Sequence, residues 1–283
     1  MYGLDKNKIT KELREFKGTH KKAVFEKLNF TIILVQPETA GNVGSIARIM
    51  KNFGFNRLVI FNPIVAKEEI FNYQTQGYAM HGKSILLNAE LISLKDDEDH
   101  HSDLQKYLTQ YDLVIGTTAK GKHYSNINRL SIFPDDLEIP IPKKTMNICI
   151  LFGKESRGLT NEEVGFSDIL LRIPTDTEYP TLNLSHACGI ILYELFKKTH
   201  NITKGRGKSP VLLARKDDKV MLYEFIEKII QILKIRNYKE KRAFNAFKNV
   251  FERSFMSKKE LSLILGVFSK THSILKNLNL FED

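Results

Sequence analysis

The chain has 283 residues, enough for one large domain or one domain with a small appendage, and its 42% hydrophobic and 27% charged residues are ordinary for a soluble globular protein. Two cysteines, Cys149 and Cys188, exclude a disulfide framework and lack the close-spaced partners of a zinc site, so both read as small buried hydrophobes in a reducing cytoplasm, with no metal expected. No apolar run approaches the ~18 residues of a membrane span, and the charged stretch from Met1 to Asn29 lacks the apolar core of a signal peptide.

The net charge of +10 is unevenly spread. From Lys197 onward there are 20 Lys and Arg against 9 Asp and Glu, a net of +11; before it, 23 against 24, a net of −1. A basic appendage beside a neutral domain points to a polyanionic partner, because each phosphate neutralised releases counterions. A solvated lysine-rich surface is the plain alternative.

In chain order, short apolar runs at Thr31–Val35, Arg57–Phe61, Leu113–Gly116, Asn147–Phe152 and Ile169–Ile173 predict strands buried on both faces of a parallel sheet. Helical patterns fall between and after them, at Val43–Phe53, Ser84–Asn88, Asp103–Thr109 and Leu184–Lys198. The alternation is an α/β signature. Residues 1–29 read as a charged extension, 30–199 as the α/β domain, 200–216 as a basic linker and 217–283 as a small all-α domain. Within the last, Asp217 or Asp218 is a candidate cap. Apolar stripes are expected at Val220, Met221, Phe225, Ile229 and Leu233, at Phe244, Phe247, Val250 and Phe251, and, behind a capping box at Ser257 and Glu260, at Leu261, Ile264, Leu265 and Phe268.

Three segments carry more than core packing requires. Gln36-Pro-Glu-Thr-Ala-Gly-Asn-Val-Gly-Ser-Ile-Ala-Arg48 follows the first strand, with two glycines expected in a strand-to-helix turn that lets the backbone approach a ligand. Asn42 there is either an N-cap or a pocket residue, and Arg48 either a solvated side chain or a phosphate clamp. Phe152-Gly-Lys-Glu-Ser-Arg-Gly-Leu159 ends the fourth predicted strand, where ligands of open α/β sheets bind, and Glu155 supplies a fixed acceptor. Thr181-Leu-Asn-Leu-Ser-His-Ala187 opens the last helix of the α/β region; Asn183 or Ser185 is a natural cap, and His186 reads as a structural polar residue. Gly116-Thr-Thr-Ala119 ends the third strand with small residues that leave room for a ligand.

The three segments, in this order and spacing, resemble the motifs of the SpoU branch of the SPOUT methyltransferases, most closely the TrmJ-type tRNA 2′-O-methyltransferases. The resemblance covers about residues 30–200 and, more loosely, the helical tail. It implies a parallel sheet flanked by helices with a deep C-terminal trefoil knot, a homodimer, and S-adenosylmethionine held by Thr117, Thr118, Ala119, Gly153, Glu155, Ile173, Thr181, Leu182, Asn183 and Leu184. It assigns catalysis to Arg48 with Asn42, Glu155, Thr181 and Asn183. Since arginine stays protonated at ordinary pH, a phosphate clamp that stabilises oxyanion charge suits Arg48 better than a general base. The family usually has serine where this chain has Thr181. The implied substrate is a ribose 2′-hydroxyl of tRNA, at the pyrimidine of nucleotide 32 in the anticodon loop, gripped also by Lys204, Arg206 and Lys208. An rRNA methyltransferase and a catalytically silent RNA-binding protein of the same fold are the alternatives. A doubly wound enzyme acting on a small nucleotide would leave the basic tail idle.

Overall fold

The computed structural model describes residues 5–94, 99–119, 130–176, 178–206 and 209–278. The chain divides into two compact units, one running from Lys21 to Asn201, the other made of the chain up to His20 and from Ile202 on.

The first unit is built on six strands: β1 (Leu28–Val35), β2 (Arg57–Phe61), β3 (Glu90–Ile92), β4 (Leu113–Thr117), β5 (Met146–Phe152) and β6 (Ile169–Leu171). They lie in the order β3-β2-β1-β5-β4-β6. Every pairing is parallel, with Thr31 opposite both Arg57 and Cys149, and Ile115 opposite both Ile150 and Ile169. The five expected strands are therefore present, and β3 is an addition.

Period-two alternation sends the strand side chains to opposite faces. On one face Ile32, Leu34, Ile60 and Ile150 pack with Val43, Ile46 and Met50 and with Cys188, Ile191 and Leu195. On the other, Ile33, Val59, Cys149 and Leu151 pack with Leu104, Leu108 and Val164. Both cysteines are buried and free. Burial, with the nearby charge of Asp168, pushes the Cys149 thiol up to about 12, and burial raises that of Cys188 as well. Neither is a nucleophile at neutral pH.

The helices, counted from α1 (Lys6–Arg14) in the second unit, are α2 (Ala40–Phe53), α3 (Lys67–Ile70), α4 (Tyr73–Ala79), α5 (Lys83–Leu87), α6 (His100–Leu108), α7 (Asn161–Gly165) and α8 (Leu184–Thr199). The first helix of the sheet unit starts three residues earlier than its apolar pattern indicates. Its N-cap is Thr39, and it ends on Gly54, whose φ of 76° supplies the left-handed stop.

In the second unit, α9 (Lys216–Ile232), α10 (Asn237–Arg253) and α11 (Lys258–Asn277) enclose Leu222, Phe225, Ile226, Leu261 and Leu265. The Ser257 capping box is present, its hydroxyl accepting from Glu260 N–H while Glu260 accepts from Ser257 N–H. Three expectations need correction. Asp218 is not the N-cap of α9; Arg215 holds that place, and Asp218, three residues on, accepts the Arg215 N–H at 2.9 Å. Of the expected stripes Phe225 and Ile229 are buried, but Val220, Met221 and Leu233 are exposed because α9 turns Leu222 and Ile226 inward with Phe225 and Ile229, and on α10 Phe247 and Val250 are exposed as well. The glycine-rich stretch expected to be a plain linker pairs Gly205–Arg206 antiparallel with Ser209–Pro210.

The N-terminal segment is no separate extension. Lys258 Nζ, only 4% exposed, donates to both carboxylate oxygens of Glu12 on α1 at 2.7 and 2.8 Å and lies 3.5 Å from Asp218. A buried ammonium needs such partners, so α1 is an integral part of the helical unit.

Candidate active site

With all strands parallel, β4, β5 and β6 end on the same edge of the sheet, the edge where open α/β sheets bind ligands. Their three following turns line a cavity of about 310 Å³. Thr117, Thr118 and Ala119 come from the first turn, Gly153 through Leu159 from the second, and Ile173, Pro180, Thr181, Leu182 and Leu184 from the stretch leading into α8. Phe152, Leu159 and Leu171, all buried, supply apolar surface, and Lys154 and Arg157 bring two cations. Thr117 Oγ1 donates to Leu151 O at 2.8 Å and Thr118 N–H to Leu171 O at 2.9 Å, so neighbouring strand ends are knitted where the cavity begins.

The second turn owes its shape to two glycines. Gly158 sits at φ 68°, and its N–H donates to Lys154 O at 2.8 Å. Gly153 faces the return of the same turn so closely that a methyl group there would collide with the Gly158 carbonyl carbon and the Leu159 nitrogen. These glycines serve a left-handed position and a close backbone approach, as expected of a glycine-rich turn.

The glycines of the first segment do something else. Gly41 and Gly44 lie inside α2, not in a strand-to-helix turn. A methyl group at Gly44 would collide with Thr75 O, and one at Gly41 would stand 3.5 Å from the Tyr78 ring. Gly44 admits α4 against α2, whereas Gly41 would meet Tyr78 only at ordinary contact distance, and neither lines the cavity. That expectation is overturned by a helix–helix contact that the local sequence gave no sign of.

Asn42 is not the N-cap either. It occupies the third helical position, and its Nδ2 donates to Glu155 Oε1 at 2.9 Å. Glu155 also accepts the backbone N–H groups of Glu38 (2.8 Å) and Thr39 (3.1 Å). A carboxylate thus sits on the N-terminus of α2, where unsatisfied N–H groups and the helix dipole favour negative charge. In return Glu38 accepts from Ser156 N–H at 2.9 Å and Ser156 Oγ at 2.6 Å. The turn after β1 and the turn after β5 therefore exchange carboxylates. Glu155 faces both the cavity and the helix that carries Arg48.

Arg48 is exposed on α2, six residues beyond Asn42 and so ~9 Å further along the axis. It is not among the side chains lining the cavity. Asn183 caps α8, its Oδ1 accepting from Ser185 N–H at 2.9 Å and Ser185 Oγ at 2.7 Å, and it too lies outside the lining, whereas Thr181, Leu182 and Leu184 beside it are part of it. His186 is exposed on the first turn of α8. In the helical unit Lys204 Nζ stands 4.3 Å over the Phe255 ring; Arg206 is in the short strand pair, and Lys208 lies outside the described residues. Among the described residues no group of His, Cys, Asp and Glu is placed to hold a metal ion, and no helix is long and apolar enough to cross a membrane.

Beyond Leu159 the wall is anchored by Glu163, which is 2% exposed. Burial would raise its carboxyl, but the hydrogen bonds from His100 (2.9 Å) and Thr160 N–H (2.7 Å) and the neighbouring histidine charges outweigh it, and the group lies below the ordinary glutamate range. Sequence reasoning missed this anchor, and missed Glu38, Ser156 and Arg157. Glu38 was within a segment already singled out, but its partner lies 118 residues away.

The model of the SpoU rRNA Methylase family matches residues 29–193. A tRNA (cytidine-2′-O-)-methyltransferase TrmJ from Methanocaldococcus jannaschii is 36% identical over 239 residues, 84% of this chain and 97% of the relative. The protein of the same name from Sulfolobus acidocaldarius is 30% identical over 245 residues, covering 87% and 94%. Among solved structures, TrmJ from Z. mobilis superposes with a TM-score of 0.57 at 20% identity, over 86% of this chain and 98% of that one, which speaks for the fold. On the family match and the archaeal relatives together, this chain belongs to the SpoU methylase family.

Proposed function

We propose that this protein transfers a methyl group from S-adenosylmethionine to a ribose 2′-hydroxyl of tRNA, at a pyrimidine of nucleotide 32 in the anticodon loop. The observation that carries the reading is the convergence of the turns after β4, β5 and β6 on one cavity, the last two bearing the second and third motifs, with Glu155 tying that cavity to the helix bearing Arg48. The archaeal relatives' names give the tRNA substrate and the ribose chemistry.

The residues present fit the cofactor. A cavity of about 310 Å³ is in the range of small-molecule sites. Leu159, Leu171 and Ile173 offer apolar surface to an adenine, and the turns at Thr118, Gly153 and Leu182 offer backbone groups to its polar edge. When bound, S-adenosylmethionine supplies a methyl group activated by the adjacent sulfonium. The chain's own work is alignment and charge. Arg48 clamps a phosphate flanking the acceptor ribose and stabilises the oxygen as it loses its proton. Asn42 and Glu155 hold the first turn of α2, and Thr181, Asn183 and Leu184 shape the start of α8. Thr181 keeps the hydroxyl of the family's usual serine and adds a methyl that restricts its rotamer.

The same reading includes the C-terminal trefoil knot of the family, a homodimer whose second subunit approaches the site, and cytoplasmic action on tRNA. The basic helical unit, Lys204, Arg206 and Lys208 included, grips the RNA backbone without reading sequence. An unstacked loop nucleotide exposes its 2′-hydroxyl, which suits single-strand recognition.

The test is to incubate the protein with bulk tRNA and methyl-labelled S-adenosylmethionine, digest with nuclease and map the product by mass spectrometry. One 2′-O-methylpyrimidine at nucleotide 32 is expected. Label on a base, or on rRNA only, would refute the assignment.

A further inference from the structure

The exchange of carboxylates between the turns after β1 and β5 contains one member that the proposed reaction leaves without a role. Glu155 is accounted for by its place in the cavity wall. Glu38 is not: it lines no part of the cavity, it is half-buried, and its carboxylate is wholly given to Ser156, Oε2 to the backbone N–H at 2.9 Å and Oε1 to the hydroxyl at 2.6 Å. Ser156 does line the cavity, between Glu155 and Arg157 at the tip of the turn.

Glu155 beside it is held by the N–H groups of Glu38 and Thr39 and by Asn42, whereas Ser156 itself is held by the Glu38 carboxylate. Within the turn, Gly158 N–H returns to Lys154 O, closing its base, and Lys154 Nζ reaches Gln36 Oε1 at a long 3.3 Å. The side chain of Ser156 is exposed, so without Glu38 its N–H and hydroxyl would bond to water and the tip would move. Charge-assisted hydrogen bonds to a carboxylate are the strong kind, and two from one residue fix both its position and its orientation. The partner turn is itself held, because the Glu38 and Thr39 N–H groups are engaged by Glu155. The two turns thus fix one another.

We infer that Glu38 is a positioning residue for the methyl-donor site: through Ser156 it holds the Lys154–Arg157 wall of the cavity in the shape that receives the donor. The inference rests on the methyltransferase reading above. It assigns Glu38 an effect on donor affinity, and none on the clamp that Arg48 provides for the RNA.

The experiment is calorimetric titration of S-adenosylhomocysteine into the full chain and its variants, with unfolding midpoints and steady-state kinetics measured alongside. In Glu38→Ala the Kd is expected to weaken about three- to tenfold, as the loss of hydrogen bonds to a partly exposed carboxylate implies. KM for S-adenosylmethionine should rise in step, with kcat at saturating donor and KM for tRNA unchanged. Glu38→Gln keeps an acceptor and should recover most of the affinity. Ser156→Ala loses the hydroxyl bond but keeps the backbone N–H, so it should weaken binding less than Glu38→Ala and add nothing to it. Wild-type affinity in Glu38→Ala would overturn the inference while leaving the methyltransferase reading intact. So would a loss that Glu38→Gln fails to repair and that tracks a lowered unfolding midpoint, which would mark Glu38 as merely structural. If the wild-type chain itself takes no S-adenosylhomocysteine, the methyltransferase reading falls, and this inference with it.

Discussion

The sheet unit and the helical unit differ in charge and in how their polar groups are tied. Lys21–Asn201 holds 20 Lys and Arg against 21 Asp and Glu, a net of −1; the rest of the chain holds 23 against 12, a net of +11. In the sheet unit the polar ties around the cavity join turns far apart in sequence, as between Glu38 and Ser156 or Asn42 and Glu155. In the helical unit many ties are local caps, with longer-range ones where Lys258 meets Glu12 and Lys219 meets Phe251 O. Chemistry needs a few groups fixed to within fractions of an ångström, which long-range cross-ties provide. Gripping a phosphate backbone needs only a high density of positive charge. On the proposed function, one unit serves placement and the other attraction.

Substitutions should separate the two accordingly. The largest effect is expected for Arg48→Ala, which should lower the rate of methyl transfer about a hundred- to a thousandfold, ~3–4 kcal/mol, while the Kd for S-adenosylhomocysteine stays the same. Equal transfer rates in a single-turnover assay would remove Arg48 from the mechanism. Gly153→Ala comes next. Its methyl group must displace the Gly158 and Leu159 backbone, so it should cost ~1–3 kcal/mol of stability in urea unfolding and abolish most donor binding. Undiminished donor binding would show that the second turn is not part of that site.

Glu12→Ala probes the other unit. It leaves the Lys258 ammonium buried with Asp218 as its remaining carboxylate among the described residues, and about 2 kcal/mol should be lost from the unfolding of the helical unit, with donor affinity unaffected. A matching loss of donor affinity would show that the two units are not independent in this respect. The smallest effect is expected for Lys204→Ala: a few-fold weaker tRNA binding, uniform across sequences, with the slope of log K against log salt reduced by about 1. An unchanged slope would show that this lysine spends its charge on Phe255 alone.

How far the molecule could be read from its sequence follows the same division between local and distant causes. β1, β2, β4, β5 and β6 were legible because each is a continuous apolar run buried on both faces. β3 was not, because it is a three-residue edge strand, half-exposed and opened by Glu90. The Ser257–Glu260 box was legible since both halves lie within four residues, whereas the tie of Glu12 to Lys258 spans 246. In the cavity, the residues expected at Thr117–Ala119, Gly153, Glu155, Ile173, Thr181, Leu182 and Leu184 all line the space, but they were reached through a family resemblance and not through periodicity. In the sequence, Gly41 and Gly44 are indistinguishable from ligand-cradling glycines. What assigns Gly44 to helix packing is Thr75 and Tyr78, some thirty residues on.

The claim on which the rest depends is that the space enclosed by Thr118, Gly153 and Leu182 is where the methyl donor sits. A crystal structure of the full chain with S-adenosylhomocysteine tests it most directly. The account predicts the ligand in that space, its sulfur on the side open to the acceptor ribose, with the Glu38–Ser156 and Asn42–Glu155 bonds intact. Density for the ligand elsewhere, with that space filled by protein or solvent, would contradict it.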